Sequence, residues 1–98
     1  MSAYQDLGIV FGYQPTRSAK LNVRAGYGDP VVIEATAPTT GTEQELVWDL
    51  LLMLEGVEAT LRALGQTEAA DRAEQLGGDI YDVWQRVEFP SLYAQDAR

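Results

Sequence analysis

The side chains able to do chemistry in this sequence are almost all carboxylates: fifteen Asp and Glu stand against seven Lys and Arg, with no histidine and no cysteine. Without thiol or imidazole, cysteine nucleophiles, disulfides and the usual zinc sites drop out. The serines, Ser2, Ser18 and Ser91, fall in a terminus, a turn and a tail, with no base paired to them. Two carboxylate pairs, Glu55 with Glu58 and Asp79 with Asp82, have the spacing that puts both groups on one side of a helix. They leave a metal-dependent enzyme as an alternative reading, although such pairs occur on any acidic helix. Glu43, Glu45 and Asp49 sit where a helix should begin, and solvent there keeps carboxylates ionised. No catalytic residue, metal ligand or cofactor site is therefore assigned, and the chain is read as a non-enzyme.

The charge is unevenly placed. Residues 1–40 hold three acids and three bases, which cancel, whereas residues 41–98 hold twelve acids against four arginines and carry the whole net charge of −8. That balance argues against direct binding to nucleic acid or to an anionic membrane surface. Arg17, Lys20 and Arg24 are too few for a nucleic-acid patch. Gly26-Tyr27-Gly28 lacks the lysine and following helix of a phosphate loop and reads as a turn. Glu55, Glu58, Glu68, Asp71, Glu74, Asp79 and Asp82 can present an acidic surface that imitates a phosphate array. An inhibitor of a nucleic-acid-binding complex would use such a surface, but ordinary solvated helix faces look the same. Arg62, Arg72 and Arg86 interrupt the field.

The elements that must position these groups follow from hydrophobic period. Leu7, Ile9, Phe11 and Tyr13 alternate with Asp6, Gly8, Val10 and Gly12, which predicts a strand over about 6–13. Pro15 marks a turn. A second strand over about 19–27 places Leu21, Val23, Ala25 and Tyr27 on one face, opposite Lys20, Asn22 and Arg24. A third over 31–37 sets Val31, Ile33 and Ala35 against Val32, Glu34 and Thr36. Short connections make these an antiparallel meander. The period then changes. Thr42 followed by Glu45 has the form of a capping box, and Leu46, Leu50, Met53, Val57, Leu61 and Leu64 trace one face of a helix over about 43–64. Gly65 suits the position just past a helix end, and Thr67 can cap the next. So short a connection forces a second helix, over about 68–88, to return antiparallel, carrying Ala69, Ala73, Leu76, Ile80, Val83 and Val87 inward. Gly77-Gly78 is a possible break, yet the apolar register runs through it, which favours one helix. Glu58–Arg62, Glu68–Arg72 and Asp82–Arg86 have i,i+4 spacing for exposed ion pairs. The expected fold is α+β: a three-stranded antiparallel meander followed by an antiparallel helical hairpin packed on one sheet face, with residues 1–98 as a single domain.

The run from Leu46 to Leu54 is apolar almost all round a helix, with only Asp49 breaking it. Nine residues are too few to span a bilayer. The face bearing Leu46 and Leu50 should meet the second helix, with Trp84 filling the wide end of the hairpin, and Val47, Leu51 and Leu54 should meet the sheet. Trp48 and Leu52 are left over, either as part of a central sandwiched helix or as an interface. Tryptophan suits the second role, since its large apolar body can be desolvated while its N–H keeps a polar contact. Tyr13, Tyr27 and Tyr81 extend the candidate interface, or else cap a small core. A domain of this size buries roughly two-thirds of the surface that its unfolded chain exposes, so it gains from a partner. The sequence thus points to an acidic protein-binding protein. Its expected partner is a protein, basic where charge governs the encounter, with a homodimer also expected and an assembly component of a homo-oligomer as the alternative. Met1-Ser2-Ala3-Tyr4-Gln5-Asp6 has an acid where a signal peptide needs bases, so a cytoplasmic location is expected.

Overall fold

The computed structural model describes residues 3–24, 30–37 and 41–94. A single helical turn, α1 (Ala3–Asp6), leads into three strands, β1 (Ile9–Gly12), β2 (Arg17–Val23) and β3 (Val31–Ala37), paired antiparallel in the order β1-β2-β3. Two long helices, α2 (Glu43–Ala63) and α3 (Thr67–Glu88), follow as an antiparallel hairpin, and α4 (Pro90–Ala94) is a short extension. The α+β meander and hairpin are those expected from the sequence.

Strand alternation sorts the sheet into two faces. Ile9 opposes Leu21, which opposes Ile33, so one apolar row crosses all three strands, and Phe11, Ala19 and Ala35 form the next. Of these only Phe11 is less than fully buried. The opposite face carries Lys20 and Glu34 in cross-strand register, with their charges 3.6 Å apart. The bounds of β1 differ from the expected 6–13. Residues 3–6 coil instead, closed by Leu7 N–H to Tyr4 O at 3.1 Å and Gly8 N–H to Gln5 O at 3.0 Å, and Gly8 turns the chain out at φ +91°. Coiling brings Tyr4 inward, 3% exposed, with its ring edge-on to Phe11. Strand β2 starts at Arg17 rather than 19, because Arg17 and Ser18 pair with Ala37 and Thr36 of β3. Its expected continuation through Tyr27 lies outside the described residues.

Both ends of α2 are closed by local chemistry. The Thr42 hydroxyl accepts from Glu45 N–H at 3.1 Å, satisfying one of the free donors of the first turn. At the other end, Gln66 N–H donates to Leu61 O at 2.8 Å and Gly65 N–H to Arg62 O at 3.0 Å, with Gly65 at φ +79°. That pair of bonds is a Schellman closure, and it demands the left-handed conformation that glycine adopts without strain. Helix α3 starts one residue before the expected position. Gln66 is its N-cap and makes no side-chain cap bond, so the role expected of Thr67 is not filled. The helix runs unbroken through Gly77 and Gly78, so the possible break there is not realised.

The faces of α2 are exchanged relative to expectation. Leu51 and Leu54 lie against α3, sharing a recess with Ala73 and Gly77, while Met53 and Val57 lie beside Val31 of β3. The reason is the buried arc itself. Leu46, Val47, Leu50, Leu54 and Leu61 are its fully buried members, and they bridge both neighbours, so either apolar stripe can serve either side. Leu64, at 71% exposed, lies outside the core altogether.

The glycines of the hairpin give a test with opposite signs. A Cβ at Gly78 meets nothing within 4 Å, so Gly78→Ala should raise stability by roughly 0.5–1 kcal/mol through helix propensity alone. Gly65→Ala should lower stability by about 1 kcal/mol, since the positive φ strains any L side chain. Equilibrium denaturation of the two variants beside the parent chain measures both.

Candidate functional site

Residues at equal or nearly equal distances from Gln66, just past the Gly65 turn, face one another along an antiparallel hairpin. The ladder therefore pairs Glu58 with Glu74, Leu54 with Gly77, Trp48 with Trp84 and Gln44 with Glu88. Close to the turn, Ala69, Ala70 and Ala73 let the helices approach. Gly77 has the Leu54 side chain 3.5 Å from where its Cβ would be. At the open end the spacing is filled by aromatic rings. Trp48 and Trp84 have centroids 4.9 Å apart, Tyr81 stacks on Trp84 at 6.1 Å with planes 9° apart, and Phe89 meets Trp84 edge-on at 6.3 Å.

Gln44 locks this cluster. The Trp84 indole N–H donates to the Gln44 carbonyl at 3.0 Å, and the Gln44 side-chain NH2 donates to the Trp84 carbonyl and the Glu88 carboxylate, each at 3.1 Å. The Gln44 amide oxygen accepts from the Tyr4 hydroxyl. One glutamine thus joins α1, α2 and α3 and uses both amide donors, leaving the Trp84 ring held at its polar edge.

Two recesses flank Trp48. One, of about 300 Å³, lies over the seam between Leu51, Leu52, Leu54, Gly77 and Tyr81, with Glu55, Glu58 and Glu74 on its rim. The other, of about 560 Å³, is walled by Trp48 and Trp84 and rimmed by Glu45, Asp49 and Glu88. Among the described residues, no lysine or arginine lines either. The rims differ electrostatically. Arg62 bridges Glu58 at 3.1 Å, Asp71 at 3.1 Å and Glu74 at 2.8 Å, so one guanidinium gathers three carboxylates near the hairpin turn. Those hydrogen bonds raise the Arg62 pKa and keep it charged. Among the described residues, no lysine or arginine bridges Glu45, Asp49, Glu55 or Glu88.

The interface candidates separate accordingly. Trp48 (41% exposed), Leu52 (54%) and Tyr81 (40%) come together along the groove, where Trp48 is both packed on Tyr81 and open to solvent. Trp84 packs against the core cluster that includes Leu46 and Leu50 and meets Trp48 at its outer side. Tyr13 is engaged elsewhere, with its hydroxyl donating to Glu43 and Arg17 over its ring at 5.4 Å. Tyr27 is outside the described residues.

Of the acidic candidates, Glu58, Asp71 and Glu74 are drawn onto Arg62, and Asp79 accepts from the Gln75 amide at 3.1 Å. Glu55 remains on the groove rim, and Glu68 and Asp82 are exposed on α3. The expected Glu68–Arg72 bridge does not form, as is common for exposed pairs whose attraction barely exceeds the entropy lost in making them. Among the described residues no group of three or more carboxylates is arranged to hold a metal ion, and no helix is long and apolar enough to cross a membrane. Sequence reasoning missed Gln44 and Phe89 as members of the site and Trp84 as the partner of Trp48. Equidistance from Gln66 is the signal that pairs the two tryptophans; nothing in the sequence distinguishes Gln44. Comparison with protein-family models, curated proteins and solved structures finds no match to this chain.

Burial, with Glu43 and Glu88 nearby, pushes the Tyr4 pKa up to about 12. The folded state thus holds the phenol proton more tightly than the unfolded chain does. Stability is intact below the ordinary tyrosine value of 10.0 and is lost as pH rises from there toward about 12. Tyr13, raised by its bond to Glu43, acts in the same direction. Tyr4→Phe should flatten this alkaline loss without removing it, as followed by thermal melts between those two pH values.

Proposed function

We propose that this protein works by binding a basic protein partner along the groove of its helical hairpin. One observation carries the reading: exposed Trp48, Leu52 and Tyr81 form an apolar strip whose neighbouring carboxylates, Glu45, Asp49, Glu55 and Glu88, have no cationic counterpart among the described residues. Aromatic side chains that are preorganised and partly desolvated supply binding energy, and the surrounding charge speeds encounter and selects the sign of the partner. The net charge of −8 acts in the same sense at longer range. It also sets a basic partner above a second copy in this groove, because two copies would oppose carboxylate to carboxylate. Inhibition of a nucleic-acid-binding complex is a particular form of this reading, in which the partner's basic surface is its nucleic-acid site.

Charge reversal distinguishes the groove from the rest of the acidic surface. Glu45→Lys with Asp49→Lys should abolish capture of basic partners by the immobilised chain, while Glu68→Lys with Asp71→Lys should weaken it only slightly. Raising salt from about 50 to about 200 mM should release most of the bound partner, since screening shortens the reach of exposed charges. Capture that is indifferent to both salt and the groove reversal would overturn the proposal.

A second reading, self-assembly, has its own observation. Beside the outer edge of β3 lies a recess of about 650 Å³ lined by Val31, Met53, Val57 and Leu64 with no charged residue, in the half of the molecule nearest the electroneutral sheet. An unpaired strand edge next to apolar surface is a place where two copies can join. Light scattering on size-exclusion should then show a closed dimer that Leu64→Glu converts to monomer. A monomeric parent chain would rule this reading out.

A further inference from the structure

We infer that the recess between Trp48 and Trp84 is an arginine-reading site, taking the guanidinium of an arginine on the basic partner in preference to a lysine ammonium. This inference rests on the proposed binding of a basic partner and names what the groove selects within it.

The chemistry of the walls makes the choice. The aromatic surface open to an incoming group is that of Trp48, 41% exposed, which rests on Trp84, an indole whose N–H is already committed to the Gln44 carbonyl and offers no free donor. The orientation of Trp84 is set on three sides, by Gln44, by Tyr81 stacked at 9° and by Trp48 tilted at 43°. A ring held in place costs little further entropy on binding. Glu45 and Asp49 are exposed on the rim, at the first turns of α2, and Glu88 closes the far side. Aromatic faces beside carboxylates fit a planar, weakly hydrated cation, which stacks on the ring while its N–H groups fork onto carboxylate oxygens. An ammonium is compact and strongly hydrated. It gains from the carboxylates but uses the rings poorly. The recess, at about 560 Å³, also has room for the aliphatic stem that carries the guanidinium. The recess on the other side of Trp48 does not share this character, because Arg62 already occupies Glu58 and Glu74 on its rim.

The test has a built-in reporter, since the chain's two tryptophans are the two walls of the site. Full-length protein is titrated with a peptide alternating arginine and glycine, and with its lysine twin of equal length and charge. Tryptophan emission and calorimetry are read together. The arginine peptide should bind about fivefold more tightly or better and alter the emission, whereas the lysine peptide should bind with little spectral change. Trp48→Leu should bring arginine affinity down to the lysine level and leave lysine affinity unchanged. Asp49→Asn, an exposed substitution that leaves the core intact, should weaken the arginine peptide without altering the fold seen by circular dichroism. Equal affinities for the two peptides, with unchanged emission, would overturn arginine selection and leave basic-partner binding standing. Failure of both peptides to bind would overturn both.

Discussion

Helix α2 has to bury two faces at once, one on the sheet and one on α3, and the rest of the molecule is arranged around that requirement. Its fully buried residues, Leu46, Val47, Leu50, Leu54 and Leu61, occupy a continuous arc. Half-buried Leu51 stands at one margin of that arc, and half-buried Val57 lies within it. An apolar arc this wide cannot be covered by a single helix contact. The sheet therefore presents its Ile9–Leu21–Ile33 row to one side, and α3 presents alanines and Gly77 to the other. What lies past the α3 margin, Trp48 and Leu52, is the apolar surface that neither neighbour reaches fully.

The turn at Gly65 converts this packing into a site. A Schellman closure fixes where α2 ends and so fixes which residue of α3 meets which residue of α2. Side-chain size along the seam then sets the shape. Small residues near the turn bring the backbones together, and the aromatic rings at the far end hold them apart, opening recesses on either side of Trp48. Gln44 prevents the open end from collapsing or fraying, because its four polar contacts tie α1, α2 and α3 together at the level of the rings. The same contacts satisfy every polar atom they involve, and no buried side-chain polar atom among the described residues is left without a partner.

Charge is distributed by the same geometry. Near the turn, Arg62 reaches across to Asp71 and Glu74 and offsets one of the three carboxylate charges gathered there. At the open end, among the described residues, no lysine or arginine bridges Glu45, Asp49 or Glu88 beside the exposed rings. The acidic surface is thus two surfaces, one drawn onto an arginine and one without a bridging cation among the described residues. This division favours a groove-centred reading over an even array of carboxylates along both helices.

The sequence by itself determined the order and type of the elements: period-2 alternation marked the strands, and the 3.6-residue period with Thr42 and Gly65 at its punctuation marked the helices. These are local properties, readable because backbone geometry and capping act over a few residues. It also determined which apolar residues were candidates for burial, and that Trp48 and Leu52 would be in excess. Tertiary structure alone decided which stripe of α2 meets the sheet, since both stripes are leucine-rich and local energetics do not separate them. It alone coiled residues 3–6 and buried Tyr4, because the phenol gains Phe11 and Gln44 as neighbours from elements distant in the chain. And it alone gathered Gln44, Trp48, Tyr81, Trp84 and Glu88 into one groove, since contacts between residues some forty positions apart depend on the hairpin register rather than on any neighbouring residue.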